Sequence, residues 1–127
     1  MNKDLQVPEN YQAVMPYLIL KDAAAFIKFA EEVFDAKVAL KEMRDENRIM
    51  HAEIKIGDST VMVAETTADY EPQNAGLFVY VKDADAAFEL ALDLGSEMVL
   101  EVSNQTYGRS GGIKDPFGNT WWITSAI

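Results

Sequence analysis

The stretch YLILKDAAAFIKFAEEVFDAKVAL, residues 17–40, decides the fold, because its pattern returns as FVYVKDADAAFELALDLGSEMVLE at residues 78–101. Lys21-Asp22 in the first stretch falls on Lys82-Asp83 in the second, an offset of 82 − 21 = 61 residues. A match that recurs at a fixed spacing indicates an internal repeat.

The same offset holds far downstream of these stretches. Gly57-Asp58 falls on Gly118-Asn119, since 118 − 57 is again 61. We therefore predict one domain, residues 1–127, that is built from two copies of one unit. The copies span residues 11–65 and 76–125, and residues 66–75 form the linker between them.

Each copy begins with a short apolar run, residues 14–20 or 77–81, that is typical of a covered strand. Asp22 and Asp83 then stand where helix N-caps belong. Apolar residues recur at helical spacing after both caps, and Gly95 is a typical helix stop. These residues are Phe26, Ile27, Ala30, Val33 and Phe34 in the first copy and Phe88, Leu90, Ala91, Leu92 and Leu94 in the second.

The rest of the first copy alternates between apolar and polar residues, as half-buried strands do. Residues 38–40, 50–56 and 60–64 form three such runs, separated by a polar bend at 45–47 and a hairpin turn at Gly57-Asp58. Each copy is thus predicted to be a β-α-β-β-β unit. The fold class is α+β, with a curved mixed sheet that forms a cup and helices on its outer face.

The composition and net charge of the chain exclude some classes of binding partner. A formal charge of −10 opposes nucleic acid and anionic membranes, because phosphates are bound by clustered Lys and Arg. No apolar run approaches the ~20 residues that span a bilayer, and the N-terminal MNKDLQVPEN lacks a signal-peptide core. We expect a soluble, cytoplasmic protein. The absence of cysteine removes disulfide and thiolate chemistry, and the sequence lacks nucleotide-binding loops and hydrolase motifs.

The doubled unit, the turn DPFGN at residues 115–119 and the run Tyr107-Gly108-Arg109 resemble the vicinal-oxygen-chelate superfamily. That superfamily includes glyoxalase I, bleomycin- and fosfomycin-resistance proteins and extradiol dioxygenases. The phrases IMHAEIKIGDS and QTYGRSGGIKDPFGNTWW are most similar to its PhnB-like branch. The resemblance covers residues 11–125, and because this fold carries many functions, activity must be argued from the site.

The resemblance implies where a metal ion would lie. Metal-dependent members hold a divalent ion with a His near the start of the first strand of each unit and a Glu on the last strand of each. By position these sites fall on Met15, Val61, Gly76 and Trp122. None of them offers the carboxylate or imidazole that such an ion prefers. We therefore expect no metal site and no cofactor.

The two adjacent tryptophans are predicted to point to opposite faces of the last strand, because side chains alternate along a strand. Trp122 should point into the cup and Trp121 should lie beneath the helices. The predicted lining is apolar and aromatic, and suits a planar or cationic molecule. Its members are Met15, Tyr17, Ile19, Val61, Phe78, Tyr80 and Trp122. For any single ring of this set, an equally good interpretation is that it fills a small apolar core and does not contact a ligand.

His51 is the only histidine of the chain, and it shares a predicted strand face with Glu53. An imidazole beside a carboxylate is a pair suited to general acid–base catalysis. Glu65 is a candidate to join them as a displaced third metal ligand. The alternative interpretation is a solvent-facing strand that carries ordinary polar residues.

Tyr107 and Arg109 lie in a stretch rich in Gly, Asn and Gln, for which we predict a mobile lid over the cup. Arg109 would then offer its guanidinium fork to an acidic or carbonyl group of a ligand. Pairing with a nearby carboxylate is the alternative for this side chain.

Two functions follow from these residues. The first is a metal-independent binder of the bleomycin-resistance kind, which takes a small planar or cationic molecule into an aromatic cup. The second is an enzyme of the glyoxalase or dioxygenase kind with catalytic groups relocated to His51 and Glu53. A third possibility is a regulatory or scaffolding domain whose cup is filled. The resemblance also implies a homodimer.

Overall fold

Two helices and eight strands follow one another in the computed structural model, which describes residues 4–127. The first unit contains β1 (Tyr17–Leu20), α1 (Ala23–Phe34), β2 (Lys37–Met43), β3 (Ile49–Ile56) and β4 (Ser59–Glu65). The second contains β5 (Gly76–Tyr80), α2 (Ala84–Asp93), β6 (Glu97–Gln105), β7 (Gly108–Lys114) and β8 (Thr120–Ser125). Residues 1–3, part of the N-terminal stretch interpreted above, lie outside the described range.

Both helices begin at the predicted caps. The carboxylate of Asp22 accepts a hydrogen bond from the Ala25 amide at 3.1 Å, and Asp83 accepts one from Ala86 at the same distance. Each bond satisfies an amide that the helix leaves unpaired. Gly95, at φ +103°, follows α2 and donates its amide to the Leu92 carbonyl. A left-handed residue of this kind ends a helix at low cost when it is glycine.

Each unit forms one four-stranded mixed sheet. Sheet A has the order β1-β4-β3-β2 and sheet B the order β5-β8-β7-β6. The first pair in each sheet is parallel and the other pairs are antiparallel. The predicted α+β class and its two β-α-β-β-β units are therefore confirmed. No helix in residues 4–127 is long and apolar enough to cross a membrane.

The core lies between the sheets and the helices and is shared by both units. Buried side chains on alternate positions of the strands, such as Leu18, Val63 and Ile123, pack with the apolar faces of the helices. Rings join the units: Trp121 of β8 stacks on Phe26 of α1 at a centroid distance of 6.4 Å. The opposite surface of each sheet, away from this core, is called its open face below.

The structure corrects two details of the first unit. Strand β1 begins at Tyr17, three residues later than predicted, because ladder pairing to β4 starts there. Val61 lies in the core and not on the open face. The parallel pair Tyr17–Met62 is separated by 62 − 17 = 45 residues, whereas its counterpart Phe78–Trp122 is separated by 44. Met62 is therefore the true counterpart of Trp122, and the constant offset of 61 assigned Val61 to the wrong face.

Candidate functional site

Aromatic side chains cluster on the open face of sheet B. Phe78, Tyr80 and Tyr107 are 51%, 62% and 52% exposed. The Phe78 ring lies 5.3 Å from Tyr80 and 6.0 Å from Tyr107, centroid to centroid. These are separations at which rings attract one another through edge and tilted contacts. The cluster leaves large apolar surfaces in contact with solvent, which is the usual mark of a binding surface.

Trp122 completes this cluster, which we call the ring patch: Phe78, Tyr80, Tyr107 and Trp122. Trp122 is the β-partner of Phe78 on one side and of Gly112 on the other. A Cβ added to Gly112 would overlap carbons of the Trp122 indole. The indole therefore lies flat against Gly112, and no side chain larger than hydrogen fits beneath it.

The ring patch borders a hollow of about 430 Å³. Phe78 and Tyr80 line it from strand β5, and Gln12, Pro16 and the Gly57-Asp58 turn line it from the first unit. The core residues Val61, Val79 and Trp121 line it as well, so the hollow extends from the edge of β5 to the core side and includes the predicted Val61. A volume of this size is within the range of small-molecule sites. A larger hollow of about 640 Å³ lies near the start of α1, where Lys21, Asp22 and Lys114 give it mixed charge. Among the described residues that line it, Phe117 is the one with an aromatic ring.

A chain of hydrogen bonds crosses the open face of sheet A. Tyr17 Oη lies 3.1 Å from His51 Nδ1, and His51 Nε2 lies 2.9 Å from Glu53 Oε2. The Tyr11 hydroxyl donates to Glu53 Oε1 at 2.6 Å. We call these four residues the tyrosine–histidine chain. The predicted neighbours His51 and Glu53 do make direct contact.

Electrostatics fix the state of the carboxyl in this chain. Hydrogen bonds from Tyr11 and from His51 lower the pKa of Glu53, more than burial raises it. The same contact with Glu53 raises the pKa of Tyr11. Glu53 is therefore a carboxylate near neutral pH, and it can only accept hydrogen bonds.

Tyr17 and Ile19 share the open face of sheet A, as predicted, and line a second hollow of about 470 Å³. Met15 lies just before β1 and is half-buried. The other residues that line this hollow are Arg44, Met50, Ala64, Glu65, Thr67, Tyr70 and Gln73.

Glu65 does not join His51 and Glu53, which corrects the expected third ligand. Strand alternation turns Glu65 to the core side, opposite Glu53, and its Oε1 accepts the Ala23 amide of α1 at 3.2 Å. Burial raises the pKa of Glu65, although the Ala23 amide opposes this. The side chain caps a helix instead of facing the histidine.

Arg109 does not reach over a cup, and its stretch is not a lid. Residues 97–114 form the β6–β7 hairpin, with Thr106 and Tyr107 in its turn. Arg109 points to the helix side, where Nε and Nη2 donate to the two carboxylate oxygens of Asp85 at 2.6 and 3.0 Å. This fork holds the pKa of Asp85 below its usual range. The alternative given above, an ordinary ion pair, is the one observed.

The residues at the implied metal positions do not fit an ion. Trp122 and Gly76 offer no donor side chain, and Met15 and Met62, the latter in place of Val61, have only thioethers. Within residues 4–127, no three His, Cys, Asp or Glu side chains lie close enough together to hold a metal.

Sequence reasoning missed two residues of these sites. Tyr11 lies before the first strand, in a segment without periodicity, so nothing local indicates its bond to Glu53 42 residues away. Tyr70 lies in the linker and lines the hollow beside Tyr17. Both positions depend on long-range contacts that a pattern along the chain does not record.

A family model described as the Glyoxalase/Bleomycin resistance protein/Dioxygenase superfamily matches residues 12–123. An uncharacterised protein of Mycobacterium bovis is 31% identical over 91% of this chain and 84% of its own length.

Several solved structures share the fold. TioX from Micromonospora sp. ML1 superposes with a TM-score of 0.72 at 22% identity, over 91% of this chain and 97% of its own. The PhnB protein from Bacillus cereus superposes with a TM-score of 0.67 at 16% identity, over 91% of this chain and 100% of its own. TnmS3, an antibiotic binding protein from Streptomyces sp. CB03234, superposes with a TM-score of 0.64 at 17% identity, over 92% of this chain and 100% of its own. At these identities the likeness extends to the fold alone.

Proposed function

Because the chain belongs to the glyoxalase/bleomycin resistance protein/dioxygenase superfamily, we propose that it binds a small planar or cationic molecule in an aromatic cup without using a metal ion. The observation that carries this proposal is the ring patch, where three of the four rings are about half exposed. A similar fold serves TnmS3, which is described as an antibiotic binding protein.

The chemistry of the ring patch supports this choice of ligand. An exposed ring stacks on a planar molecule, and a cation over a ring face gains about 0.5–2 kcal/mol. The formal charge of −10 attracts a cation toward the molecule as a whole. The donor-poor metal positions described above support binding that does not require an ion.

Two finer points belong to the same proposal. We assign the chain to the PhnB-like branch, which the likeness to the Bacillus cereus PhnB protein supports. We also propose a homodimer, because β2 and β6 are exposed outer strands that carry apolar side chains. A dimer would cover these edges.

Proflavine, a planar fluorescent cation, tests the ring patch. We expect Gly112→Ala to weaken its binding about tenfold or more, because the added methyl displaces the Trp122 indole. Gly76→Ala is the matched control, since an added Cβ there meets no atom within 4 Å. Phe78→Ala provides a second route to the same loss without a change in packing beneath Trp122. Equal binding by wild type, Phe78→Ala and Gly112→Ala would contradict the proposal.

A second candidate function rests on one observation, the 2.9 Å contact between His51 and Glu53. This pair is arranged as the base and orienting group of an acid–base enzyme. Elemental analysis of the purified protein tests the metal-dependent form of this idea. Stoichiometric Zn, Ni, Mn or Fe would favour an enzyme over the binder, and a metal-free protein that retains proflavine binding would favour the binder.

A further inference from the structure

We propose that the tyrosine–histidine chain is a second, polar subsite, in which the Tyr17 oxygen accepts a hydrogen bond from a protonated amine bound in the adjoining hollow. This inference rests on the proposed binding function and names a ligand group for it. It concerns sheet A, whereas the ring patch lies on sheet B.

The hydrogen bonds of the chain determine where its protons lie. Glu53 accepts from Tyr11 at one oxygen, and its other oxygen faces His51 Nε2, so Nε2 must carry a proton. In a neutral imidazole, Nδ1 is then the acceptor. As long as the imidazole is neutral, the Tyr17 hydroxyl at 3.1 Å donates to Nδ1. The Tyr17 oxygen therefore has only lone pairs left for a ligand.

Exposure identifies Tyr17 as the member that meets a ligand. Tyr17 is 46% exposed, whereas the side chains of His51 and Glu53 are 23% and 8% exposed. Of these three, Tyr17 alone lines the 470 Å³ hollow. His51 and Glu53 act through it as positioning residues, because they hold its proton away from the hollow.

The charge around the hollow favours a cation at this oxygen. Glu53 places a negative charge two hydrogen bonds behind Tyr17. Arg44 and Glu65 line the hollow with opposite charges, and the charge of Arg44 acts on the Glu65 carboxyl. Ile19, Met50, Ala64 and Tyr70 supply apolar wall. A ligand with a hydrocarbon or aromatic body and a terminal ammonium group matches these features.

Nitrogen NMR of the histidine side chain tests the proton positions directly. The chain has a single histidine, so its signals need no residue assignment, and the couplings of each nitrogen to the carbon-bound ring protons distinguish Nδ1 from Nε2. In alkaline buffer we expect the proton on Nε2 in the wild type, because Nε2 faces the Glu53 carboxylate. In Tyr17→Phe, Nδ1 should shift because its hydrogen bond is lost. A proton found on Nδ1 in the wild type would overturn the proposal, since Tyr17 would then be free to donate.

Binding of 2-phenylethylamine tests the ligand class, with methyl 2-phenylethyl ether as a neutral control of similar shape. Tyr17→Phe should weaken binding of the amine about tenfold, which corresponds to about 1.4 kcal/mol, and change binding of the ether less than twofold. No amine binding at millimolar concentration, or equal weakening of both compounds, would overturn the proposal.

The two proposals fail in different ways. Loss of proflavine binding in Gly112→Ala with no effect of Tyr17→Phe on the amine would leave the ring patch standing and remove the polar subsite. The opposite result would remove the ring patch and leave Tyr17 as a separate amine site.

Discussion

Asp115 shows how one buried carboxylate can organise a turn. It is 4% exposed and accepts four hydrogen bonds. Two come from the amides of Phe117 and Asn119, one from the Asn119 side chain and one from the Trp121 indole at 2.8 Å. The DPFGN motif is therefore a structural device that fixes the start of β8. It holds Trp121 in the core, so that the next residue, Trp122, faces outward.

Asp115→Asn should lower the free energy of unfolding by about 3 kcal/mol, because an amide nitrogen would face the Trp121 and Asn119 donors and leave them unpaired. Urea denaturation measures this change. The exposed Glu31 provides a matched control, and Glu31→Gln should stay within about 0.5 kcal/mol of wild type. Equal stability of both variants would show that the four bonds contribute little.

Single side chains could be placed from the sequence only where the local pattern decides. The alternation of a strand correctly separated Trp121 from Trp122. It could not place Arg109, because its direction depends on the exact strand bounds, and its partner Asp85 lies 24 residues away on a helix. The bond from Tyr17 to His51 was likewise out of reach, since it joins strands that are separated by β4.

Among the elements, α1 has an unusual start. Asp22 caps it in the ordinary way, and Glu65 from the end of β4 accepts a further amide, Ala23. Burial of Glu65 raises its pKa above the ordinary value of 4.5, so burial outweighs the favourable field of the helix N-terminus. The folded state therefore binds a proton at Glu65 more tightly than the unfolded state does.

Glu65→Gln should raise stability at pH 7, because the amide oxygen still accepts from Ala23 while the buried charge is gone. The sign follows from linkage: ionisation of Glu65 costs stability as pH rises through its raised pKa, and this cost is absent below pH 4.5. The advantage of the variant should thus disappear in acid. Thermal unfolding at pH 7 and at pH 4 measures it, and a constant difference at both values would contradict this account.

Helices and hairpins were predicted well where local chemistry sets their ends, as at the Asp22 and Asp83 caps and the Gly57-Asp58 turn. The stretch around Tyr107 and Arg109, predicted to be a mobile lid, was not predicted correctly. Its Gly111 and Gly112 suggested mobility, yet both lie buried in β7. Their small size is required by close neighbours, Val102 and Trp122, which no local pattern reveals.

For the molecule as a whole, the outer strands are the surfaces that lack cover. On β6, Met98, Val99 and Leu100 are all about half exposed, and Val99 is skipped in the pairing with β7. On β2, Val38, Leu40 and Met43 are also exposed. Such apolar edges favour pairing with another chain.

Val99→Lys should convert the proposed dimer to a monomer, because it places a charge in this apolar edge. Val99 is half exposed, so the substitution should leave the core of the protomer intact. We expect at least a tenfold rise in the dimer dissociation constant, measured by analytical ultracentrifugation. Ala24→Lys, which adds the same charge on the exposed side of α1, is the control. A monomeric wild type would contradict the proposed dimer. A dimer that tolerates Val99→Lys would show that the interface lies elsewhere.

The shifted register of β4 bears on attempts to rebuild this protein as a perfect duplicate. Equivalent positions lie 61 residues apart for Tyr17 and Phe78, 60 for Val61 and Trp121, and 59 for Ile54 and Ile113. The segments that connect these strands therefore differ in length between the two halves. A symmetrised gene made by averaging the halves at a fixed spacing of 61 would turn β4 inside out and would displace β3 by two residues along its own face, so each strand must be superposed separately before any consensus is drawn.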